Sequence, residues 1–233
     1  MITREDLQGH WRRDWIKAPG IDDHSTRVHW MQAGALFADL RVPLGRPDFS
    51  GFGCLADLPS SALDVLLQAE GFAGTITVAA GRCTWHRDIN WHGQPEMDDI
   101  GAMSFADGAL MEDGVLGEYR ERWAREEARP LRGHRLAYDD MSGVLIENDD
   151  VFLVGIGRAL DAPARGVSQN GTNIRMRFAS TYCLGRWDGE NGIATLSTNP
   201  FCEGTVVLTR GATFAWHALC FDGATQARTL RAA

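Results

Sequence analysis

The chain has 233 residues, of which 44% are hydrophobic and 23% are charged, and its formal net charge at pH 7 is −8. This composition is typical of a folded globular protein and excludes a disordered or fibrous chain. An acidic protein lacks the excess of positive charge that drives binding to nucleic acids and anionic membranes, so we expect neither as a partner.

The first residues, Met1-Ile-Thr-Arg-Glu-Asp, are charged where a secretion signal would need an apolar run. No stretch approaches the ~20 apolar residues of a membrane span, so we expect a cytoplasmic protein. The five cysteines include no Cys-x-x-Cys pair, which predicts reduced thiols rather than disulfides or a zinc site. Motifs for nucleotide loops, zinc proteases and serine nucleophiles are absent, so we expect neither a cofactor nor a metal.

Short runs of alternating apolar and polar residues, separated by Gly, Asp and Asn, predict antiparallel strands along most of the chain. The clearest helix runs from Pro59 to Glu70, and its one-sided leucine stripe predicts that it lies against a sheet. In the amino-terminal half the predicted strands cover residues 25–32, 35–42, 74–80, 82–91, 101–105, 109–112 and 116–123.

A charged stretch from Arg120 to Arg132 predicts a linker between two halves. Further strands are predicted over residues 144–148, 151–159, 173–186, 193–198, 205–209 and 213–222. Antiparallel strands in such numbers usually close into barrels or sandwiches, because closure removes exposed strand edges. The sequence therefore predicts a mainly β protein of two similar, lipocalin-like antiparallel β-barrels packed together, over residues 1–126 and 127–233, with one or two short helices.

Several segments resemble one known family: Thr84-Trp85 through Asp99-Ile-Gly-Ala-Met103, Tyr119-Arg-Glu-Arg-Trp123, and Val154-Gly-Ile-Gly-Arg158. Their order and spacing are similar to those of the fungal proteins named for interacting with a yeast casein kinase, and of their bacterial relatives. The resemblance implies two similar β-barrels that can form a homodimer, and it implies no catalytic residue. The bacterial relatives also resemble this chain at Ser197-Thr198-x-Pro200 and Glu203-Gly204, which gives that corner a structural or functional role.

Six of the eight tryptophans lie in the first half, which directs the search for a site to the first barrel. On strand 82–91, alternation places one charged and four apolar side chains on the face expected to point into the barrel: Cys83, Trp85, Arg87, Ile89 and Trp91. On the last strand of this half, one face carries Tyr119, Glu121 and Trp123. Like the inward face of strand 82–91, it combines aromatic side chains with one charge, but this charge is negative. The sequence therefore predicts that Arg87 and Glu121 meet inside the first barrel.

A buried ion pair costs several kcal/mol in desolvation per ion, so a protein that keeps one usually satisfies it with hydrogen bonds or a ligand. This argument predicts a ligand pocket, to which the hairpin 25–42 adds Trp30, Phe37, Asp39 and Arg41 if those side chains point inward. The opposite face of strand 35–42 is more apolar and competes for the inward position, so the orientation stays open. Alternatively, these charges form ordinary, partly exposed ion pairs worth ~0 to 1 kcal/mol each.

The leading hypothesis is a protein that binds a small, partly apolar molecule in its first barrel, with Arg87 and Glu121 orienting a polar group. The predicted ligand-binding residues are Trp30, Phe37, Asp39, Arg41, Trp85, Arg87, Trp91 and Trp123. The expected partners are this ligand and a second copy of the chain.

An alternative from a different class is a cofactor-independent lyase, isomerase or cyclase. His86 and Asp88 lie two residues apart on one strand face, which is close enough for a carboxylate to orient an imidazole. In this alternative His86 or Glu121 acts as general base, and Tyr119 or Arg41 supports the developing charge. A third alternative is a protein-interaction module without a pocket.

Overall fold

The computed structural model describes residues 1–127, 129–159 and 172–232. Within these ranges the chain is mainly β and forms two closed antiparallel barrels, as the sequence predicts. Two short α-helices, α1 (Ser60–Leu66) and α2 (Thr172–Arg177), accompany them. No helix in the described part of the chain is long and apolar enough to cross a membrane.

Each strand of the first barrel pairs with the next, and the last strand pairs with the first to close it. A short additional strand, β2 (Ile21–Asp23), pairs with the first strand outside the closed ring. The barrel strands are β1 (Gly9–Ala18), β3 (Arg27–Ala33), β4 (Leu36–Val42), β5 (Glu70–Ala79), β6 (Arg82–Asn90), β7 (Asp99–Ala106), β8 (Ala109–Gly114) and β9 (Arg120–Glu127).

The second barrel closes in the same manner, through pairing of its first and last strands. Its strands are β10 (Arg132–Tyr138), β11 (Met141–Glu147), β12 (Val151–Arg158), β13 (Thr181–Asp188), β14 (Asn191–Ser197), β15 (Val206–Thr209), β16 (Phe214–Leu219) and β17 (Thr225–Ala232).

The structure corrects three details of the predicted layout. The strands β1, β10 and β17 are not predicted, because charged residues at several positions obscure their alternation. Most of the predicted linker 120–132 is strand, since β9 continues to Glu127 and β10 begins at Arg132. The segment predicted as one strand, 173–186, contains α2 and then β13.

The lumen of the first barrel is packed with aromatic side chains. Trp30 lies at the centre of this packing, with ring centroids 5.6 Å from Trp85 and 5.7 Å from Trp123. Trp11 stacks on Trp30 at 6.3 Å, and Phe37 is fully buried in the same cluster. Aromatic pairs at these distances add to the stabilisation from burial, so this part of the lumen is a core.

A β-bulge changes the direction of the side chains at the end of β6. Gly74 pairs with Arg87 while Ala73 pairs with Ile89, so Asp88 is an extra residue on β6. Beyond this bulge Ile89 and the following Trp91 turn out of the lumen and pack between the barrels. The prediction that Trp91 points into the lumen with Trp85 is therefore wrong.

The two barrels share a second apolar core. The outward face of β4 contributes Ala38, Leu40 and Val42, which is why Phe37 and Asp39 point into the lumen. Residues of β11 and β12 and the leucines of α1 complete this core. The open question about the orientation of strand 35–42 is thus answered by packing, because each face has its own apolar partner.

Tyr182 of β13 enters this shared core through a slot made by two glycines. A Cβ atom at Gly71 would lie 2.3 Å from the Tyr182 ring, and one at Gly155 would lie 2.6 Å from it. The Tyr182 side chain is fully buried, and its hydroxyl has no hydrogen-bond partner among the described residues. The glycines therefore allow the barrels to approach closely around one aromatic ring.

The corner from Ser197 to Gly204 joins the second barrel to a loop of the first. The Glu203 carboxylate accepts a hydrogen bond of 2.9 Å from the Ser197 amide and pairs with Arg46 at 2.6 Å. Arg46 lies in the loop after β4 and also donates to the Ser197 carbonyl. This corner, which the resemblance singles out, has a structural role at the contact between the barrels.

Candidate functional site

The first barrel has a pocket of about 320 Å³, lined by residues of β6 and β7 and of the segments before β7 and β9. Its polar lining includes Arg87 on β6, Asp99 on β7 and Tyr119 just before β9, and Ile100 of β7 adds an apolar side chain. The loops around the opening contribute the exposed apolar side chains of Met97 and Leu116. A pocket of this size that combines apolar walls with a few polar groups is typical of small-molecule sites.

The sequence predicts that Arg87 pairs with Glu121, but in the structure Arg87 pairs with Asp99. Its Nη2 lies 2.5 Å from Asp99 Oδ2, and its guanidinium carbon lies 3.6 Å from the centre of the Phe72 ring. Asp99 is brought close because it pairs with Trp85 across the β6–β7 ladder. The predicted Arg87–Glu121 pair is wrong because the neighbouring strand supplies a nearer carboxylate.

The partner of Glu121 comes from β1, the strand that closes the barrel. Arg13 Nη1 donates to Glu121 Oε1 at 2.7 Å, and Arg41 Nη1 lies 3.8 Å from the same oxygen. Glu121 is 1% exposed and Arg13 is 8% exposed, so this ion pair is buried. Arg13 also contacts Asp23 at 3.2 Å, and sequence reasoning missed it because β1 is not predicted.

Asp39 and Arg41 form a second ion pair within the same lumen. Arg41 Nε donates to Asp39 Oδ1 at 2.9 Å. Burial raises the pKa of Asp39 from 3.8 to about 6, although the positive charge of Arg41 acts in the opposite direction. Both side chains point into the lumen, which is one of the two orientations that the sequence allows for strand 35–42.

Glu112 on β8 is a second residue of this cluster, after Arg13, that the sequence does not predict. Its Cα pairs directly with that of Glu121, and its side chain is 4% exposed. The Tyr119 hydroxyl donates to Glu112 Oε1 at 2.8 Å, and Trp123 Nε1 donates to Oε2 at 3.1 Å. Burial raises the pKa of Glu112 well above its ordinary value, and the negative charges of Glu121 and Asp99 raise it further.

Two glycines make room for this hydrogen-bonded group. A Cβ atom at Gly101 would lie 2.7 Å from Glu112 Cγ, and one at Gly114 would lie 2.5 Å from the Tyr119 ring. The sequence does contain a signal for Glu112, because it alternates with the fully buried Leu110 on the lumen face of β8. Four residues of the segments that carry the family resemblance lie around Glu112 or its partners: Asp99, Gly101, Tyr119 and Trp123.

Buried polar atoms around the lumen that make no hydrogen bond within the described residues include Trp30 Nε1, Gln32 Oε1, Arg87 Nε and Glu121 Oε2. An unpartnered buried polar atom costs about 1–3 kcal/mol, so such atoms mark places where a polar molecule gains most by binding.

The predicted His86–Asp88 dyad does not form. His86 is exposed and its Nε2 lies 3.0 Å from Thr77 Oγ1. Asp88, the bulge residue, pairs instead with Arg135 of the second barrel, at 2.7 Å between Asp88 Oδ2 and Arg135 Nη1. The structure therefore separates the two residues that alternation places on one face.

The other predicted residues divide between the core and the pocket. Trp30, Phe37, Trp85 and Trp123 lie in the aromatic core. Arg87 and Tyr119 line the pocket, and Tyr119 connects it to Glu112. Within the described ranges, no group of three or more His, Cys, Asp or Glu side chains is arranged to hold a metal ion.

A scan against protein-family models and a search of curated proteins gave no match for this chain. Among solved structures, it is similar to the uncharacterized protein YLR301w from Saccharomyces cerevisiae. The TM-score is 0.51 at 12% sequence identity, over 81% of this chain and 84% of that chain. What the two proteins share is the two-barrel fold. This agrees with the fold that the fungal resemblance implies, whereas membership of that family stays a prediction.

Proposed function

We propose that the first barrel binds a small, partly apolar molecule at its pocket, next to Tyr119. The observation that carries the proposal is the double role of Tyr119, whose side chain lines the pocket and whose hydroxyl is bonded to the buried Glu112. A ligand that contacts Tyr119 would thereby contact the first member of a buried polar network. The exposed Leu116 and Met97 at the opening would pack against its apolar part.

The charges behind the pocket favour a ligand with a polar group rather than a purely apolar one. Glu121 Oε2 and Arg87 Nε have no hydrogen-bond partner among the described residues, and both belong to the same charged cluster. A polar group that reaches this cluster, directly or through water, would satisfy atoms that are otherwise costly to bury.

The binding test uses the neutral apolar dye N-phenyl-1-naphthylamine, followed by its own emission and by quenching of tryptophan. We expect Leu116→Asp to weaken dye binding at least about tenfold, because it places a charge at the apolar opening. Leu44→Asp is the matched control, since Leu44 is 64% exposed, Leu116 is 54% exposed, and Leu44 does not line this pocket. Both variants should remain folded by circular dichroism. Equal binding by the two variants would refute a site at this opening.

The hydrogen bond from Trp123 to Glu112 provides a second readout. Because Trp123 Nε1 donates to Glu112 Oε2, a ligand that changes the Tyr119–Glu112 contact should also change the emission of Trp123. Tyr119→Phe keeps the ring but removes the hydroxyl. We therefore expect it to bind the dye while losing the component of the emission change that depends on Glu112.

One observation also favours the enzyme alternative. Glu112 retains a proton more readily than an ordinary glutamate because it is buried, and the Tyr119 hydroxyl links it to the pocket. This is the arrangement of a buried acid that exchanges a proton with a bound molecule through a hydroxyl. For compounds that displace the dye, product formation would be followed by mass spectrometry. A catalytic role requires that Glu112→Gln still binds such a compound but no longer converts it.

A further inference from the structure

The second barrel has a separate pocket of about 240 Å³ at one end of its lumen. Trp216 of β16 and Met141 of β11 line it and are both buried in the core of this barrel. Phe178, which follows α2 directly, adds an apolar wall from outside the barrel. The pocket therefore offers an apolar surface formed by strands of the second barrel and by the residue that follows α2.

Two arginines also line this pocket, Arg228 on β17 and Arg175 on α2. Arg228 alternates with Leu230, which is buried in the barrel core, so its side chain leaves the strand on the lumen side. The guanidinium carbon of Arg175 lies 5.3 Å from the centre of the Phe221 ring. Arg175 is thus placed beside an apolar ring, and both cations line the pocket.

Neither arginine is strongly neutralised by a carboxylate. Arg228 Nη1 is 4.0 Å from Asp139 Oδ2, the limit of an ion pair, and Asp139 is 70% exposed. Arg228 Nη2 donates to the neutral Gln226. Among the described residues, no carboxylate forms an ion pair with Arg175, and the lining of this pocket contains no acidic side chain.

This distribution of charge is unusual in a chain with a net charge of −8. The pocket of the first barrel shows the opposite pattern, since Arg87 is paired there and Glu96 and Asp98 add negative charge. Two guanidinium groups beside an apolar wall fit a carboxylate that carries an apolar chain, because guanidinium binds carboxylates through paired hydrogen bonds.

We propose that this end of the second barrel binds a small carboxylate with an apolar chain, held by Arg175 and Arg228 against Trp216. This site is independent of the proposed function of the first barrel, because the two pockets have no residue in common.

A cysteine in the pocket allows the site to be tested directly. Cys220 lines the pocket and is partly exposed, whereas the other four cysteines are buried. The rate of Cys220 alkylation by iodoacetamide, measured by peptide mass spectrometry, therefore reports occupancy of this pocket and not of the first barrel. The probe is octanoate, and octylammonium has the same chain with the opposite charge.

We expect octanoate to slow the alkylation of Cys220 and octylammonium to leave it unchanged at the same concentration. In the double variant Arg175→Gln, Arg228→Gln, the octanoate concentration needed for half protection should rise at least about tenfold. Arg186→Gln is the matched control, because Arg186 is an exposed arginine of the same barrel outside the pocket. It should retain full protection.

Three results would overturn the proposal. Equal protection by octanoate and octylammonium would mean that the pocket binds apolar chains without using its arginines. Equal loss of protection in the control and the double variant would mean that any removed arginine has this effect. Octanoate binding detected by calorimetry without protection of Cys220 would place the carboxylate elsewhere on the protein.

Discussion

Asp39 allows the electrostatic description of the first barrel to be tested without knowledge of a ligand. In the folded protein its pKa is raised from 3.8 to about 6, mainly by burial. The folded state therefore binds a proton at Asp39 between about pH 4 and pH 6, where the unfolded chain has released it. This contribution to stability is complete below about pH 4 and is lost as the pH rises through 6.

The size of the effect follows from the two pKa values. The difference between 3.8 and about 6 corresponds to about 3 kcal/mol in the free energy of unfolding. About 2 kcal/mol of this falls between pH 4.5 and pH 7.5, where both states can be measured in urea. Asp39→Asn removes the titrating group and replaces it with a neutral side chain of similar size.

We therefore expect the free energy of unfolding of the wild type to fall by about 2 kcal/mol relative to Asp39→Asn between pH 4.5 and pH 7.5. The variant has an additional offset because Arg41 loses its partner, but that offset does not depend on pH in this range. Raised carboxyls elsewhere, such as Glu112, are present in both proteins and so cancel in the comparison.

Asp48→Asn provides the control. Asp48 is exposed, and hydrogen bonds from Ser50 lower its pKa, so it does not titrate above pH 4.5. Its removal should leave the pH dependence parallel to that of the wild type. If the curve of Asp39→Asn is also parallel to that of the wild type, the burial of an ionisable Asp39 in the lumen is refuted.

Two further substitutions test the packing around the polar groups. Gly101→Ala should lower the free energy of unfolding, measured by urea denaturation, by about 1–3 kcal/mol, because the new Cβ would lie 2.7 Å from Glu112 Cγ. Gly45→Ala is the control and should leave this free energy unchanged, because Gly45 has open space around it. Equal losses of stability in the two variants would contradict the contact between residue 101 and Glu112. Tyr182→Phe should leave the free energy of unfolding unchanged or raise it by about 1 kcal/mol, because the buried Tyr182 hydroxyl has no hydrogen-bond partner among the described residues. A loss of stability in this variant would show that the hydroxyl does form a hydrogen bond.

Much of the fold follows from local sequence patterns. Alternation and turn residues predict strands such as 35–42 and 82–91 near their observed positions, and the need to close strand edges predicts barrels. The strands β1, β10 and β17, which alternation misses, carry arginines at positions where a pattern-based prediction requires apolar residues. Their pairing with distant strands stabilises them, and a local pattern contains no information about such pairing.

In the candidate site, too, the local pattern predicts the orientation of some side chains but not the contacts that they make. Alternation predicts the inward orientation of Arg87 and Glu121, whereas it leaves the orientation of Asp39 open. It does not predict their partners, because Arg13 lies on a strand that closes the barrel from 108 positions away in sequence. One bulge residue, Asp88, is enough to reverse the faces of the residues after it, and nothing in the local pattern of β6 marks it.

The sequence by itself determined the β-barrel class and which face of most strands carries the polar groups, since both depend on a period of two residues. Only the tertiary structure decided which charges meet, where Glu112 lies, and which tryptophans form core rather than pocket. The physical reason is that ion pairs and packing depend on distances between strands that are far apart in the chain, and barrel closure with its bulges fixes those distances.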